Sequence, residues 1–297
     1  MHSTWSDGTD TPRNLLKKVR EAGIDVFSVT DHDEYRGILE LNKHQGKQPE
    51  DGAPAFIPGT EFSCRDGGDK FHILGYAYDT EAPSIRGLFD AVRTIRMQKA
   101  ENRIRFLKQN FGFTFSDEEY SALMRNHNPG KPHIAKLMVN HGYAENISEA
   151  IDRYIAGYHG PERRIKPEEA IEAILAADGL PVLAHGPFGD GGQNLGPEEM
   201  ERRVSRLKAA GLAGVEAYYS GFSAAQRDMM LDLADRNGLT VTAGSDYHGS
   251  IKAVRLGDTG PGDPAEKAAR LADFLAEALR RSTFSAVPER PDGREGE

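Results

Sequence analysis

Histidines and carboxylates are placed in this chain where they could gather metal. His2 and Asp7 precede the first helical pattern, Asp31-His32-Asp33 follows a strand-like run, Glu61 ends another, His185 ends a further one, and Asp246-Tyr247-His248 ends the last. His72 is the exception, near the start of its strand. Imidazole with carboxylate suits borderline divalent metals such as zinc, manganese, iron or cobalt, and several bridging carboxylates suit more than one ion. Taken singly, each residue reads as a cap, a turn residue or a solvated side chain, and Asp7-Gly8 alone is a turn. Taken together, five of the ten histidines fall in these positions, which argues for a multinuclear metal site. His44, His127, His133, His141 and His159 scatter over helices and loops and are not read as metal ligands.

Such residues meet only if strands deliver them to one face. Apolar runs of strand length alternate with segments of helical period, a pattern that predicts parallel strands joined by helical crossovers. Strands are expected at 25–30, 55–58, 71–78, 180–184, 214–218 and 239–243. Helices are expected after Thr11-Pro12 and over 167–178, 197–210, 223–237 and 264–280, with Gly23, Gly179, Gly211 and Gly238 as stops. In a parallel barrel the carboxyl ends of the strands converge, so residues distant in sequence can share one pocket. The stretch 84–160 breaks this rhythm with helical patterns at 85–111 and 132–140, and predicts a helical insertion capping the barrel. The expected organisation is a discontinuous barrel from 1–83 and 161–285, the insertion 84–160, and a mobile Pro, Gly and charge-rich tail at 286–297.

With 297 residues, 38% hydrophobic, the chain can bury a substantial core, so disorder and fibre are excluded. Lys plus Arg number 37 against 46 Asp plus Glu, and the charge of -9 disfavours a mainly electrostatic grip on nucleic acid. Cys64 is the single cysteine, which excludes an internal disulfide and a cysteine-rich zinc site and makes a cytoplasmic address the expectation. No apolar run approaches the roughly 20 residues needed to span a bilayer, no membrane association is expected, and no protein partner is implied.

Six segments carry a resemblance to a known family: His2-Ser3-Thr4-Trp5-Ser6-Asp7-Gly8-Thr9, Thr30-Asp31-His32-Asp33, Gly59-Thr60-Glu61, Phe71-His72-Ile73-Leu74-Gly75, Leu183-Ala184-His185 and Gly244-Ser245-Asp246-Tyr247-His248-Gly249. In this order they resemble the polymerase and histidinol phosphatase (PHP) superfamily of metal-dependent phosphoesterases. The resemblance implies an α/β fold, a distorted seven-stranded β/α barrel holding two or three divalent ions (Mn, Zn or Fe) at its carboxyl face. It further implies His2, Asp7, His32, Glu61, His72, His185, Asp246 and His248 as the metal ligands, with Glu61 bridging. The segments Gly130-Lys131-Pro132-His133-Ile134-Ala135 and Glu216-Ala217-Tyr218-Tyr219-Ser220-Gly221 are similar to one branch, although Lys131 replaces that branch's usual Arg. The branch includes nucleoside 3',5'-bisphosphate phosphatases and 5'-3' exonucleases of short RNA. The family motif opens His-x-His, whereas Met1 stands here at the middle position. That departure predicts either a chain that starts late or a metal site lacking one ligand.

A metal-bridged hydroxide is then the expected nucleophile, with Asp33 as a candidate proton shuttle and Lys131, His133, Arg163 and Arg164 as candidate phosphate-binding groups. The first functional expectation is a phosphoesterase acting on the phosphate monoester of a small nucleotide-like substrate. The alternatives are a 5'-3' exonuclease on short oligonucleotides, for which Tyr218, Tyr219, Phe188 and Phe222 could provide stacking, and a metal-stabilised module without catalysis.

Overall fold

The structure, a computed structural model, describes residues 1–45, 52–125, 129–160, 163–189 and 193–282. The tail at 286–297 lies outside the described residues, as does His127. In chain order the first elements are α1 (Pro12–Glu21), β1 (Val26–Phe27), α2 (Arg36–Gln45), β2 (Ala55–Phe56), β3 (Gly59–Asp66) and β4 (Asp69–Tyr76). There follow α3 (Pro83–Phe111), α4 (Asp117–Arg125), α5 (Lys131–Asn140) and α6 (Ile147–Glu149). The last are α7 (Pro167–Ala176), β5 (Leu180–Leu183), α8 (Pro197–Ala209), β6 (Gly214–Tyr219), α9 (Ala224–Asn237), β7 (Thr240–Gly244) and α10 (Pro264–Ser282). The chain divides into two compact units, Met1–Arg86 with the chain from Lys166 onward, and Gly87–Ile165.

In the first unit the helices start and stop for local reasons. The Thr11 hydroxyl accepts the Asn14 N–H at 3.2 Å, Pro12 opens α1, and Leu15, Leu16 and Val19 form its buried face. Ser223 and Gln226 cap α9 reciprocally, and Gly238 ends it in the left-handed region at φ 60°. Gly211 plays the same part after α8 at φ 100°, but after α7 the left-handed residue is Asp178, at φ 56°. Gly179 serves closeness instead, because a Cβ there would stand 2.7 Å from the Tyr78 Cβ and 2.8 Å from the Ile174 Cγ2.

The strands form two sheets. β1 and β2 pair in parallel, and five strands run β3-β4-β5-β6-β7. The expectation of uniformly parallel strands is corrected here, since in the five-stranded sheet β4 runs antiparallel to both of its neighbours, β3 and β5, while β5, β6 and β7 pair in parallel. β3 itself was absent from the expected strands. Asp66 pairs with Asp69 across Gly67-Gly68, a two-residue hairpin whose diglycine was the available signal. The reversal also explains His72. Because β4 runs against β5, with the Ala184 N–H donating to the His72 carbonyl at 3.0 Å, the early part of β4 lies beside the carboxyl end of β5.

Helix α10 closes the apolar side of this unit. Phe274 and Ala278 pack with Ile57, Leu74, Tyr76, Val182 and Ala184, and the Phe274 and Tyr76 rings meet edge to face at 5.2 Å. The second unit is helical, with no strand among its described residues, and has its own core of Ala100, Leu107, Leu123, Ile134, Ala135, Met138, Ala144, Ala150 and Ile155. No helix among the described residues is long and apolar enough to cross a membrane.

Gly238 and Gly179 separate two kinds of cost. Gly238→Ala meets open space but must hold a left-handed backbone, so it should cost about 1 kcal/mol. Gly179→Ala forces overlap with Tyr78 and Ile174, and should cost about 2 kcal/mol or more. Urea unfolding of the two variants should give that ranking, and equal losses would contradict it.

Candidate metal centre

The chain's first residues are threaded between two strand ends. The Met1 carbonyl accepts the Thr30 N–H at 2.8 Å, and the His2 N–H donates to the Tyr247 carbonyl at 2.9 Å. Buried Asp31 then clamps the following loop, accepting the Ser3 N–H at 2.7 Å, the Ser3 hydroxyl at 2.6 Å and the Ser6 hydroxyl at 2.7 Å. The turn carrying Asp7 closes only on glycine, because a Cβ at Gly8 would stand 2.2 Å from the His2 carbonyl oxygen. Thr9 ties this loop to the far end of the unit through its N–H on the His248 carbonyl at 3.2 Å.

Glu61 is the hub. Its Oε2 lies 3.1 Å from His2 Nε2, while its Oε1 lies 3.1 Å from His185 Nε2 and also contacts His72 Nδ1. His72 Nδ1 and His185 Nε2 are 3.0 Å apart. His2 Nε2 reaches Asp246 Oδ1 at 3.1 Å, and His248 Nε2 reaches Asp7 Oδ1 at 3.3 Å, with His32 Nε2 3.9 Å from Asp7 Oδ2. Three groups have donor atoms close enough to share an ion: His2, Asp7, His32 and His248; His32, Glu61 and His72; and His2, Glu61 and Asp246. His2 Nδ1 and His32 Nδ1 are buried without a hydrogen-bond partner. An unpartnered His2 Nδ1 that lies 3.6 Å from Asp7 Oδ1, among five imidazoles and three carboxylates in all, fits a divalent metal centre. A cavity of about 570 Å³ has His2, Glu61, His185 and Asp246 among its lining residues.

Three tethers shape this arrangement. The His185 N–H donates to Glu216 Oε2 at 2.8 Å, and the outer oxygen of Asp246, Oδ2, accepts the Tyr219 hydroxyl at 2.8 Å and Lys252 Nζ at 2.6 Å. A bulge between Glu216 and Tyr218 resets the strand alternation, which turns Glu216 and Tyr219 to the same site.

Burial and charge set the protonation states. Burial alone would lower His2, but its hydrogen bonds to Asp246 and Glu61 outweigh that and push it up to about 9. His32, also buried, lacks such bonds and is pushed down to about 4. Burial would raise Asp7, Glu61 and Asp246, yet the surrounding imidazoles hold all three well below the usual carboxylate range. Glu216 has fewer positive neighbours, and burial pushes it up to about 7.

All eight residues expected to bind metal are thus brought together in the first unit. Asp33 is not in any of the three groups; it stands at φ 54° with its carboxylate accepting the Ser63 N–H at 2.9 Å. Lys131, His133, Arg163 and Arg164 belong to the second unit. His133 Nδ1 accepts the Gly130 N–H at 3.2 Å, which makes it a cap of α5. Sequence reasoning missed Asp31, Glu216, Tyr219 and Lys252 as supports of the centre. An acid inside the apolar run of β6 was a usable signal for Glu216; Lys252 offered none.

No protein-family profile matches the chain. A 5'-3' exoribonuclease of Haemophilus influenzae is 28% identical over 264 residues, covering 86% of this chain and 91% of its own length. A 3',5'-nucleoside bisphosphate phosphatase of Chromobacterium violaceum is 26% identical over 254 residues, covering 83% and 85%. A crystal structure from Bifidobacterium adolescentis, of a protein proposed to be a metal-dependent phosphoesterase, superposes with a TM-score of 0.71 at 28% identity over 94% of each chain. The chain is a relative of metal-dependent phosphoesterases, in accord with the resemblance to the polymerase and histidinol phosphatase superfamily.

Two outcomes follow from the centre. His185→Ala removes a contact of Glu61 without emptying the core, so it should lower bound metal measured by mass spectrometry while leaving the circular dichroism spectrum intact; full metal content would contradict its placement. In metal-stripped protein at pH 7, His2 carries a proton because its value is near 9, above the ordinary 6.5. A ligating imidazole must be neutral, so loading with Mn²⁺ or Zn²⁺ should release at least about one proton, and affinity should rise from pH 7 to 9. Titration calorimetry in buffers of different ionisation enthalpy reads that count, and a count of zero would contradict it.

Proposed function

We propose that this chain hydrolyses the phosphate monoester of a small nucleotide-like substrate, such as a nucleoside 3',5'-bisphosphate, using two or three divalent ions held by His2, Asp7, His32, Glu61, His72, His185, Asp246 and His248. The observation that carries this is Glu61, a buried carboxylate whose two oxygens meet three imidazoles. Such an oxygen pair suits a bridge between ions. In the same reading the two sheets form the walls of an open, distorted barrel, and the chain works in the cytoplasm.

Divalent ions held by these residues would neutralise phosphoryl charge and lower the pKa of a bound water. The chain's own groups hold the frame. The Tyr219 hydroxyl holds the outer oxygen of Asp246 and leaves Oδ1 toward His2, while Asp31 fixes the loop of His2 and Asp7. Asp33, whose carboxylate accepts the Ser63 N–H, is the proposed proton carrier. Lys131, His133, Arg163 and Arg164 are the proposed phosphate-binding groups of the helical unit, with Lys131 serving as a point charge. The exoribonuclease relative favours a second reading, release of nucleotides from the 5' end of short RNA.

The test is phosphate release by metal-loaded protein from a nucleoside 3',5'-bisphosphate, a nucleoside monophosphate and an aryl phosphate, with 5'-end trimming of a short RNA scored in parallel. The bisphosphate should be preferred. Lys131→Ala should then lower kcat/KM on it about tenfold, the loss of one charge-assisted hydrogen bond, with much less effect on the aryl phosphate. Turnover of RNA alone would favour the second reading, and no turnover of any ester would refute both.

A further inference from the structure

We propose that Lys252 is the phosphate-binding cation of the metal-bearing unit, its ammonium taking an oxygen of the phosphoryl group presented to the metal centre. The proposal rests on the phosphoesterase reading above. Lys252 Nζ lies 2.6 Å from Asp246 Oδ2, and the other oxygen of that carboxylate is 3.1 Å from His2 Nε2 and 3.6 Å from His248 Nδ1. The ammonium is therefore one carboxylate removed from His2 Nε2. Its side chain is 40% exposed, so solvent and solute reach it.

Three other cations of this unit are committed elsewhere. Lys18 is held by Asp10 and the Tyr247 hydroxyl, Arg36 is bound to Glu34 and stacked on Trp5, and Lys267 donates to Thr259 and the Gly260 carbonyl. Lys252 has three N–H donors and one hydrogen-bond partner, Asp246, among the described residues. Asp246 Oδ2 does not depend on it, because the Tyr219 hydroxyl donates to the same oxygen at 2.8 Å.

Charge points the same way. Asp7, Glu61 and Asp246 together bring three negative charges, and two divalent ions would bring four positive ones. Once an ion shares Asp246, the carboxylate has less need of Lys252, and a dianionic phosphate becomes the better partner for the ammonium. A phosphate accepts from a point charge without demanding the planar fork of an arginine.

The test compares metal-loaded wild type with Lys252→Met and Lys252→Arg, measuring metal stoichiometry, thermal midpoint, and the affinity for inorganic phosphate by titration calorimetry. Lys252→Met should keep its metal and its midpoint, while phosphate affinity falls about tenfold or more; Lys252→Arg should recover most of it. Unchanged phosphate affinity in Lys252→Met would overturn the proposal. So would metal loss that accounts for the weaker binding, since Lys252 would then only position Asp246, and so would a wild type that binds no phosphate. A wild type that binds phosphate through Lys252 yet turns over no ester would leave this assignment standing and refute the phosphoesterase reading instead.

Discussion

A carboxylate buried in protein must be compensated, and Glu61, 3% exposed, is the buried carboxylate around which the first unit is built. Its partners come from distant parts of the chain: His2 from the first residues, His72 from β4 and His185 from the end of β5. Each must arrive from its own backbone direction, which explains why the sheet mixes parallel and antiparallel strands. The hairpin of β3 and β4 lays His72 beside the end of β5, a position that a purely parallel crossover would have put at the opposite face.

Convergence of this kind stores strain at the residues that turn inward. Asp33, His185 and Asp246 are non-glycine residues in the left-handed region, at φ 54°, 30° and 51°, and each sits just past a strand end or its bridge. A left-handed backbone costs an ordinary residue roughly 1–2 kcal/mol and persists only where neighbours over-determine it. Here each has a tether: Ser63 N–H on the Asp33 carboxylate, Glu216 on the His185 N–H, and Tyr219 with Lys252 on Asp246. The bulge in β6 belongs to the same device, since without it Glu216 and Tyr219 would face opposite sides.

The convergence of these side chains was legible in the sequence because residues able to bind metal are chemically conspicuous. A histidine after a strand, repeated with carboxylates, stands out against apolar runs, and the helix caps at Thr11 and Ser223 obey local rules. Long-range pairing left weaker traces. β3 was hidden because Glu61 lies within it and looked like a terminus, and because its second half alternates polar residues toward solvent. Asp31 was read only as a neighbour of His32, although its work is to hold Ser3 and Ser6, residues far away in sequence. Lys252 follows a loop of ordinary composition, so only distance could single it out.

The division into two units separates two chemical tasks by their dependence on charge. The whole chain carries -9, a field that repels an anionic substrate at long range. The first unit could answer this locally: it gathers five imidazoles and three carboxylates, donors that are neutral or singly negative when ligating, so two bound divalent ions would leave the group net positive. Screening confines that positive field to about 10 Å at ordinary salt. Attraction therefore acts only on a phosphate already close to the centre, and the choice among phosphate esters falls to contacts made by the remainder of the substrate. In the phosphoesterase reading proposed above, such a balance would favour compact phosphates, because further negative charges on a long polyanion would work against the net charge of -9.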